Sequence, residues 1–454
     1  MKNERYPLVI LLALLLTGCG ASVQESAISP AARSASPLLT QCPSGSAGRM
    51  ECLETALLDT LAVEGIAAAM NTLERIGAVD EEIRRDGHVY AHVIGLAAYT
   101  GPDDVGRAFA ECTPSFQSGC YHGVIQSYFV DLAGSGSAAA VGEAQVNGLC
   151  EAYRGDPDSV WLLFQCAHGM GHGLTMVEKY HLPSALAACD LLASPWERDA
   201  CHGGVFMESI INETAPHHTT GRPQHGGDHG DAHGDHATSG EHPNPARPST
   251  ADADEHADHS QHADHDGHAG HGVPAEAVRE PFPALDPNDH HYPCNALDER
   301  YGQSCYLMQT SVVLHFTRGD FRAAARMCDG APVQHRETCY QSLGRDASSY
   351  AVQVHKQGQR LCSMGDPALR SWCHVGYVKN VIDVTANPED GMSYCAMLPA
   401  GSGKEHCYRA VGQQIYLLAS APERRAELCT AAEPGYVAQC RSGADLPEVG
   451  TTAR

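Results

Sequence analysis

The stretch CYLMQTSVVLHFTRGDFRAAARMCDGAPVQHRET, residues 305–338, is the unit from which the fold can be read. Cys305, Cys339, Cys373 and Cys407 stand 34 residues apart, and Cys440 follows 33 later. A second series, Cys294, Cys328, Cys362, Cys395 and Cys429, runs at spacings of 34, 34, 33 and 34. An aromatic or His follows the first series at Tyr306, Tyr340, His374 and Tyr408. A period near 34 is that of a stacked helix-turn-helix unit. Within the quoted unit, Cys305 to Phe316 reads as a first helix and Thr317 to Asp320 as a turn with Gly319 at the break. Phe321 to Cys328 is a second, Ala-rich helix, and Asp329 to Thr338 loops to the next unit.

The N-terminal half repeats this less regularly, with units opening near Cys52, Asp86, Cys120, Cys166 and Cys201. Asp86 stands where Cys stands elsewhere. The predicted fold class is all-α: a disulfide-stapled α-solenoid of helical hairpins with a disordered His-rich insertion. With only 6 % aromatic residues and 45 glycines, such a chain must pack its helices through small side chains.

Nineteen cysteines fit an oxidising compartment. The first residues supply the route there. Lys2 and Arg5 precede the apolar run Leu8 to Leu16, and Leu16-Thr17-Gly18-Cys19 reads as a lipobox. The run is shorter than the ~20 residues a membrane span needs, so it is expected to be a signal segment that is removed. Cys19 is the expected lipidation site, tying the protein to a bacterial membrane; the start resembles envelope lipoproteins of two-membrane bacteria, and with Gly20 in place of Asp that resemblance implies the outer membrane, facing the periplasm. The expected layout is a signal peptide at 1–18, a lipidated tether at 19–49 and N-terminal repeats at 50–213. The insertion takes 214–293, C-terminal repeats take 294–440, and a disordered tail takes 441–454.

Setting Cys19 aside leaves an even eighteen cysteines. They fall into consecutive pairs: Cys42–Cys52, Cys112–Cys120, Cys150–Cys166, Cys189–Cys201, Cys294–Cys305, Cys328–Cys339, Cys362–Cys373, Cys395–Cys407 and Cys429–Cys440. Each would join the end of one second helix to the next first helix. A rival scheme closes a single hairpin, as in Cys305–Cys328, and strands Cys42 and Cys440.

The run Cys112-Thr-Pro-Ser-Phe-Gln-Ser-Gly119-Cys120-Tyr121-His122-Gly123, with its short loop into Gly-Cys-Tyr, is similar to the cysteine-rich Sel-like repeat proteins, relatives of tetratricopeptide arrays. The resemblance spans both repeat blocks. It implies a right-handed superhelix of hairpins with disulfides at the same junctions, and work done through protein contacts, here with an envelope partner.

The histidines carry the chemical signal. Two places after Asp86, Cys120, Cys166 and Cys201 stand His88, His122, His168 and Gly203. Six places after stand His92, Gln126, His172 and Met207. The regular C-terminal units put Leu307, Gln341, Val375 and Arg409 in the first of these slots. Slots four apart share one helix face, and equivalent faces of stacked units adjoin. His88, His92, His122, His168 and His172 are therefore expected to converge, with Gln126 and Glu208 as hydrogen-bonding support. Neutral imidazoles suit zinc, copper, iron or nickel, with zinc the favoured ion and copper or nickel open; the bland alternative is a hydrogen-bonded polar core.

A second group lies in the insertion, where residues 217–271 hold thirteen histidines. His229, His233, His236, His256, His259, His262, His265, His268 and His271 alternate with Asp, Gly and Ala and almost no large apolar residue. Such composition is expected to remain disordered and to offer accessory metal sites.

A formal charge of −25 argues against nucleic acid as a partner. There is no phosphate-binding Gly loop, no Gly-x-Ser-x-Gly elbow, no dinucleotide fingerprint and no Cys-x-x-Cys-His haem motif. Full pairing of the cysteines leaves no thiol nucleophile. The expected function is a lipid-anchored, extracytoplasmic transition-metal-binding protein for sequestration, delivery or sensing. The alternatives are an adaptor for envelope proteins and a metal-dependent hydrolase or oxidase.

Overall fold

The computed structural model describes residues 37–134, 141–214, 281–352 and 354–447. Cys19, and the histidines 229, 233, 236, 256, 259, 262, 265, 268 and 271, lie outside the described residues. Among those described there are helices and turns and no strand.

In the N-terminal block α1 (Arg49–Glu64) pairs with α2 (Ile66–Gly77), and α3 (Glu81–Ala98) with α4 (Val105–Glu111). There too α5 (Gly119–Gly134) pairs with α6 (Glu143–Leu149), and α7 (Val160–Val177) with α8 (Leu182–Cys189). A further first helix, α9 (Pro195–Thr214), leads into the insertion. In the C-terminal block α10 (Gly302–Tyr306) and α11 (Gln309–Thr317) precede α12 (Phe321–Gly330). Then follow α13 (Arg336–Tyr350) with α14 (His355–Cys362), α15 (Arg370–Thr385) with α16 (Pro388–Ala396), α17 (Ser402–Leu418) with α18 (Pro422–Cys429), and α19 (Val437–Gly443).

Local chemistry explains the hairpins. At the α11–α12 turn, Arg318 and Gly319 take left-handed φ of 54° and 85°, and the Asp320 carboxylate caps α12 by accepting from the amides of Arg322 and Ala323. Phe321, Ala324, Ala325 and Cys328 then fall on one buried face. The predicted single helix from Cys305 is broken after Tyr306. Gln309, which opens the second piece, sends its amide to the carbonyls of His290 and Tyr292 and so fastens the chain returning from the insertion.

Nine disulfides join the consecutive cysteine pairs, with Cα–Cα distances from 5.3 Å at Cys328–Cys339 to 5.9 Å at Cys150–Cys166. The hairpin scheme, Cys305–Cys328, does not occur. At the Asp86 junction Arg49 takes the staple's place, pairing with Asp80 and Glu82. The aromatic after each Cys is a structural post: the Tyr340 hydroxyl donates to Asp329 at 2.7 Å and accepts from the Asp366 amide at 2.6 Å.

Some boundaries differ from the sequence expectation. Residues 37–49 belong to the folded array, since Cys42 is buried and Arg49 donates to its carbonyl. Residues 281–293 are folded against α10 and α11, so the segment outside the described array is 215–280. At the other end α19 runs to Gly443 and Leu446 donates back to Arg441.

The first helices form a continuous inner layer, and glycine lets them approach closely. A Cβ at Gly204 would lie 2.0 Å from the carbonyl oxygen of His168, and one at Gly171 would lie 2.1 Å from that of Cys201. The array also curls back on itself. The amides of Phe116 and Gln117 donate to the carbonyls of Val384 and Asp383 at 2.9 and 2.8 Å, and α17 touches α7. This closure forms a half-open chamber of about 410 Å³ lined by first helices of both blocks.

Candidate metal centre

Three neighbouring first helices bring the in-register histidines together. His88 and His92 sit one turn apart on α3, which Asp80 caps through the Ile83 amide. His122 lies on α5, and His168 and His172 lie one turn apart on α7. The close helix approach makes one cluster of them. Ring centroids are 4.8 Å apart for His122–His168, 5.0 Å for His122–His172 and 5.2 Å for His168–His172. His92 is 5.6 Å from His172, and His88 is 5.5 Å from His122. The fourth helix, α9, adds Glu208, which is fully buried.

Two overlapping triads have donor atoms within 4.8 Å of one another: His122, His168, His172 and His92, His172, Glu208. A tetrahedral zinc about 2 Å from each nitrogen holds donors ~3.3 Å apart, so modest ring rotations close either set. This buried His/Glu cluster has the donors to hold a metal ion.

Four of the rings have their tautomer fixed by an acceptor. His88 Nδ1 donates to the Phe116 carbonyl at 3.0 Å and His168 Nδ1 to the Ala200 carbonyl at 3.1 Å. His122 Nε2 donates to Gln165 Oε1 at 2.9 Å, and His172 Nδ1 donates to a Glu208 oxygen at 2.9 Å. For His88, His122 and His168 the bond leaves the opposite nitrogen as the candidate ligating one. For His88 that atom is Nε2 and for His122 it is Nδ1; both are buried and have no hydrogen-bond partner. Leaving such a buried acceptor without a partner costs free energy.

Burial, the largest influence, lowers the pKa of His88, His122 and His168. His168 falls to about 4, with the Ala200 bond opposing. His122 falls well below the ordinary value, helped by its neighbours His168 and His172. These three are therefore neutral at neutral pH, the form a metal needs. Tyr180 is pushed up, by burial first and then by Glu208, so it keeps its proton and donates to that carboxylate at 3.4 Å.

Gln126, expected to support a histidine, instead sends its amide to the Met176 sulfur. Gln165 holds His122 in its place. Gln165, and the carbonyls of Phe116 and Ala200, carry no repeat signal in the sequence. Phe116, Gln117 and Ser118 are three successive non-glycine residues with left-handed φ of 56°, 54° and 60°, a costly conformation that the bonds to Asp383 and Val384 hold. His202 stands apart from the cluster, against Asp190 and Tyr301.

Only His122 and His168 of the five histidines border the chamber. Trp161, Phe164 and Trp196 form an aromatic wall beside them. Lys379, Asn380 and Asp383 of α15 also line it. Burial pushes the Asp383 carboxyl up to about 7, with Lys379 and the Gln414 amide opposing. Comparison with protein-family models, with curated proteins and with solved structures finds no match to this chain.

Proposed function

We propose that the protein binds a transition metal ion, zinc in the first place and copper or nickel as close alternatives, through His122, His168 and His172, with His92 and Glu208 as the adjoining donors. In this reading it is a lipid-anchored lipoprotein of the cell envelope, with Sel-like kinship, that sequesters, delivers or senses the ion. The His-rich insertion captures ions and the folded cluster holds one. The observation that carries the reading is the convergence of His122, His168 and His172, whose donor atoms lie within 4.8 Å of one another on rings that Gln165, the Ala200 carbonyl and Glu208 orient. That is the arrangement of metal-bound histidines.

Elemental analysis and zinc titration of protein lacking residues 215–280 test it. Stoichiometric metal is expected there, and His122→Ala and His168→Ala should each weaken binding ~100-fold or more, since even outer partners count for 10–100-fold. His374→Ala, in the C-terminal block, should leave affinity unchanged. Absence of metal, or unchanged binding in both cluster variants, returns the histidines to a polar core.

A second reading, a metal-dependent hydrolase or oxidase, is favoured by one observation: the chamber that borders His122 and His168 gives a substrate room beside the ion.

A further inference from the structure

The chamber is walled by residues far apart in sequence: His122 and His168, the aromatic trio, Leu307 and Met308, and the α15 and α17 side chains. Its volume of about 410 Å³ suits a small organic molecule. The walls differ in chemistry. Phe164 stacks on His168 at 5.7 Å with an interplanar angle of 17°, and Trp161 and Trp196 lie 6.4 and 5.8 Å from Phe164. This aromatic surface begins at a candidate ligand ring and runs outward to Trp196, which is 42 % exposed. The chamber is also lined by Lys379, whose charged form burial disfavours, and by the amides of Gln117, Asn380 and Gln414. Burial favours the protonated form of Asp383.

Resting on the metal reading above, we propose that the chamber binds a planar aromatic molecule bearing an anionic oxygen, whose oxygen completes the coordination of the ion held by His122, His168 and His172. Three neutral imidazoles leave a four-coordinate dication one open position, and the Glu208 carboxylate, bonded to His172, offsets only part of its double charge. An anion can meet both needs from the side where His122 and His168 border the chamber. Beside the buried cluster the anion-to-dication attraction is stronger than in bulk water, and the ring gains the stacking surface of Phe164 and Trp196.

The test uses the whole protein loaded with cobalt(II), whose visible bands report coordination, and three probes sharing one donor: benzoate, acetate and cyclohexanecarboxylate. Benzoate should shift the cobalt bands and bind ~10-fold more tightly than acetate, with cyclohexanecarboxylate between them. Trp196→Ala, at an exposed position, should cost benzoate ~3- to 10-fold and leave acetate unchanged. Leu307→Trp, which fills the chamber, should abolish the benzoate shift while keeping the cobalt spectrum. No protein-bound cobalt spectrum overturns the metal reading and this inference with it. A cobalt spectrum with equal benzoate and acetate affinities, or benzoate binding indifferent to both variants, overturns this inference alone.

Discussion

The Nδ1 of His172 donates to a Glu208 carboxylate oxygen across 2.9 Å, with both side chains sealed from water. A buried carboxylate is costly without compensation, and here it fixes the ring that belongs to both donor triads. Glu208→Ala should therefore weaken zinc affinity ~10- to 100-fold. Glu208→Gln, which keeps an acceptor, should lose less. Isothermal titration of the two variants checks the order; equal affinities to the parent would separate Glu208 from the site.

The backbone contact between α7 and α9 predicts a coupled loss. In Gly204→Ala the new Cβ meets the His168 carbonyl oxygen at 2.0 Å, so the helices must part. Overpacking of this kind costs about 1–3 kcal/mol, and His168 moves with its helix. Thermal melting should show the destabilisation, and zinc titration should show weakened binding in the protein that remains folded. Gly106→Ala, where a Cβ meets nothing within 4 Å, is the control.

Acid should destabilise the metal-free fold over a defined window. His168 and His374 are both lowered to about 4, by burial first, whereas the unfolded chain protonates them near pH 6.5. Between those values the unfolded state binds more protons, so stability falls as pH drops. It is fully present above about 6.5 and lost as pH falls through about 4. Urea melts from pH 7.5 to 4 should show midpoints declining below 6.5. Replacing His374 with Phe should flatten part of that slope; a profile unaltered by the change would remove His374 from the account.

The disulfides should act as independent staples. Removing Cys328 and Cys339 together opens an 11-residue closure, worth ~3 kcal/mol through the unfolded state. Non-reducing peptide mapping should recover Cys305 linked to Cys294, and never to Cys328. The double variant should melt earlier while retaining zinc affinity, because the cluster lies on α3, α5 and α7.

The sequence by itself determined the period, the junctions and the register. Cysteines spaced by 34 fix which helix ends meet, because each bridge spans a short loop. His88 and His92, or His168 and His172, share a face because four residues are close to one helical turn. These are local facts and can be read from spacing. What completes the centre is not local. Gln165 reaches His122 from a different helix, and the Ala200 carbonyl reaches His168 only because Gly171 and Gly204 let two backbones touch. Gln126 has the right register and another partner, Met176, because side-chain direction depends on the neighbouring helix. The chamber lies further still from the sequence. It brings Lys379 and Asp383 into one cavity with His122 and His168. Only the tertiary structure could decide that, because closure depends on small rotations accumulated over every repeat between the two blocks.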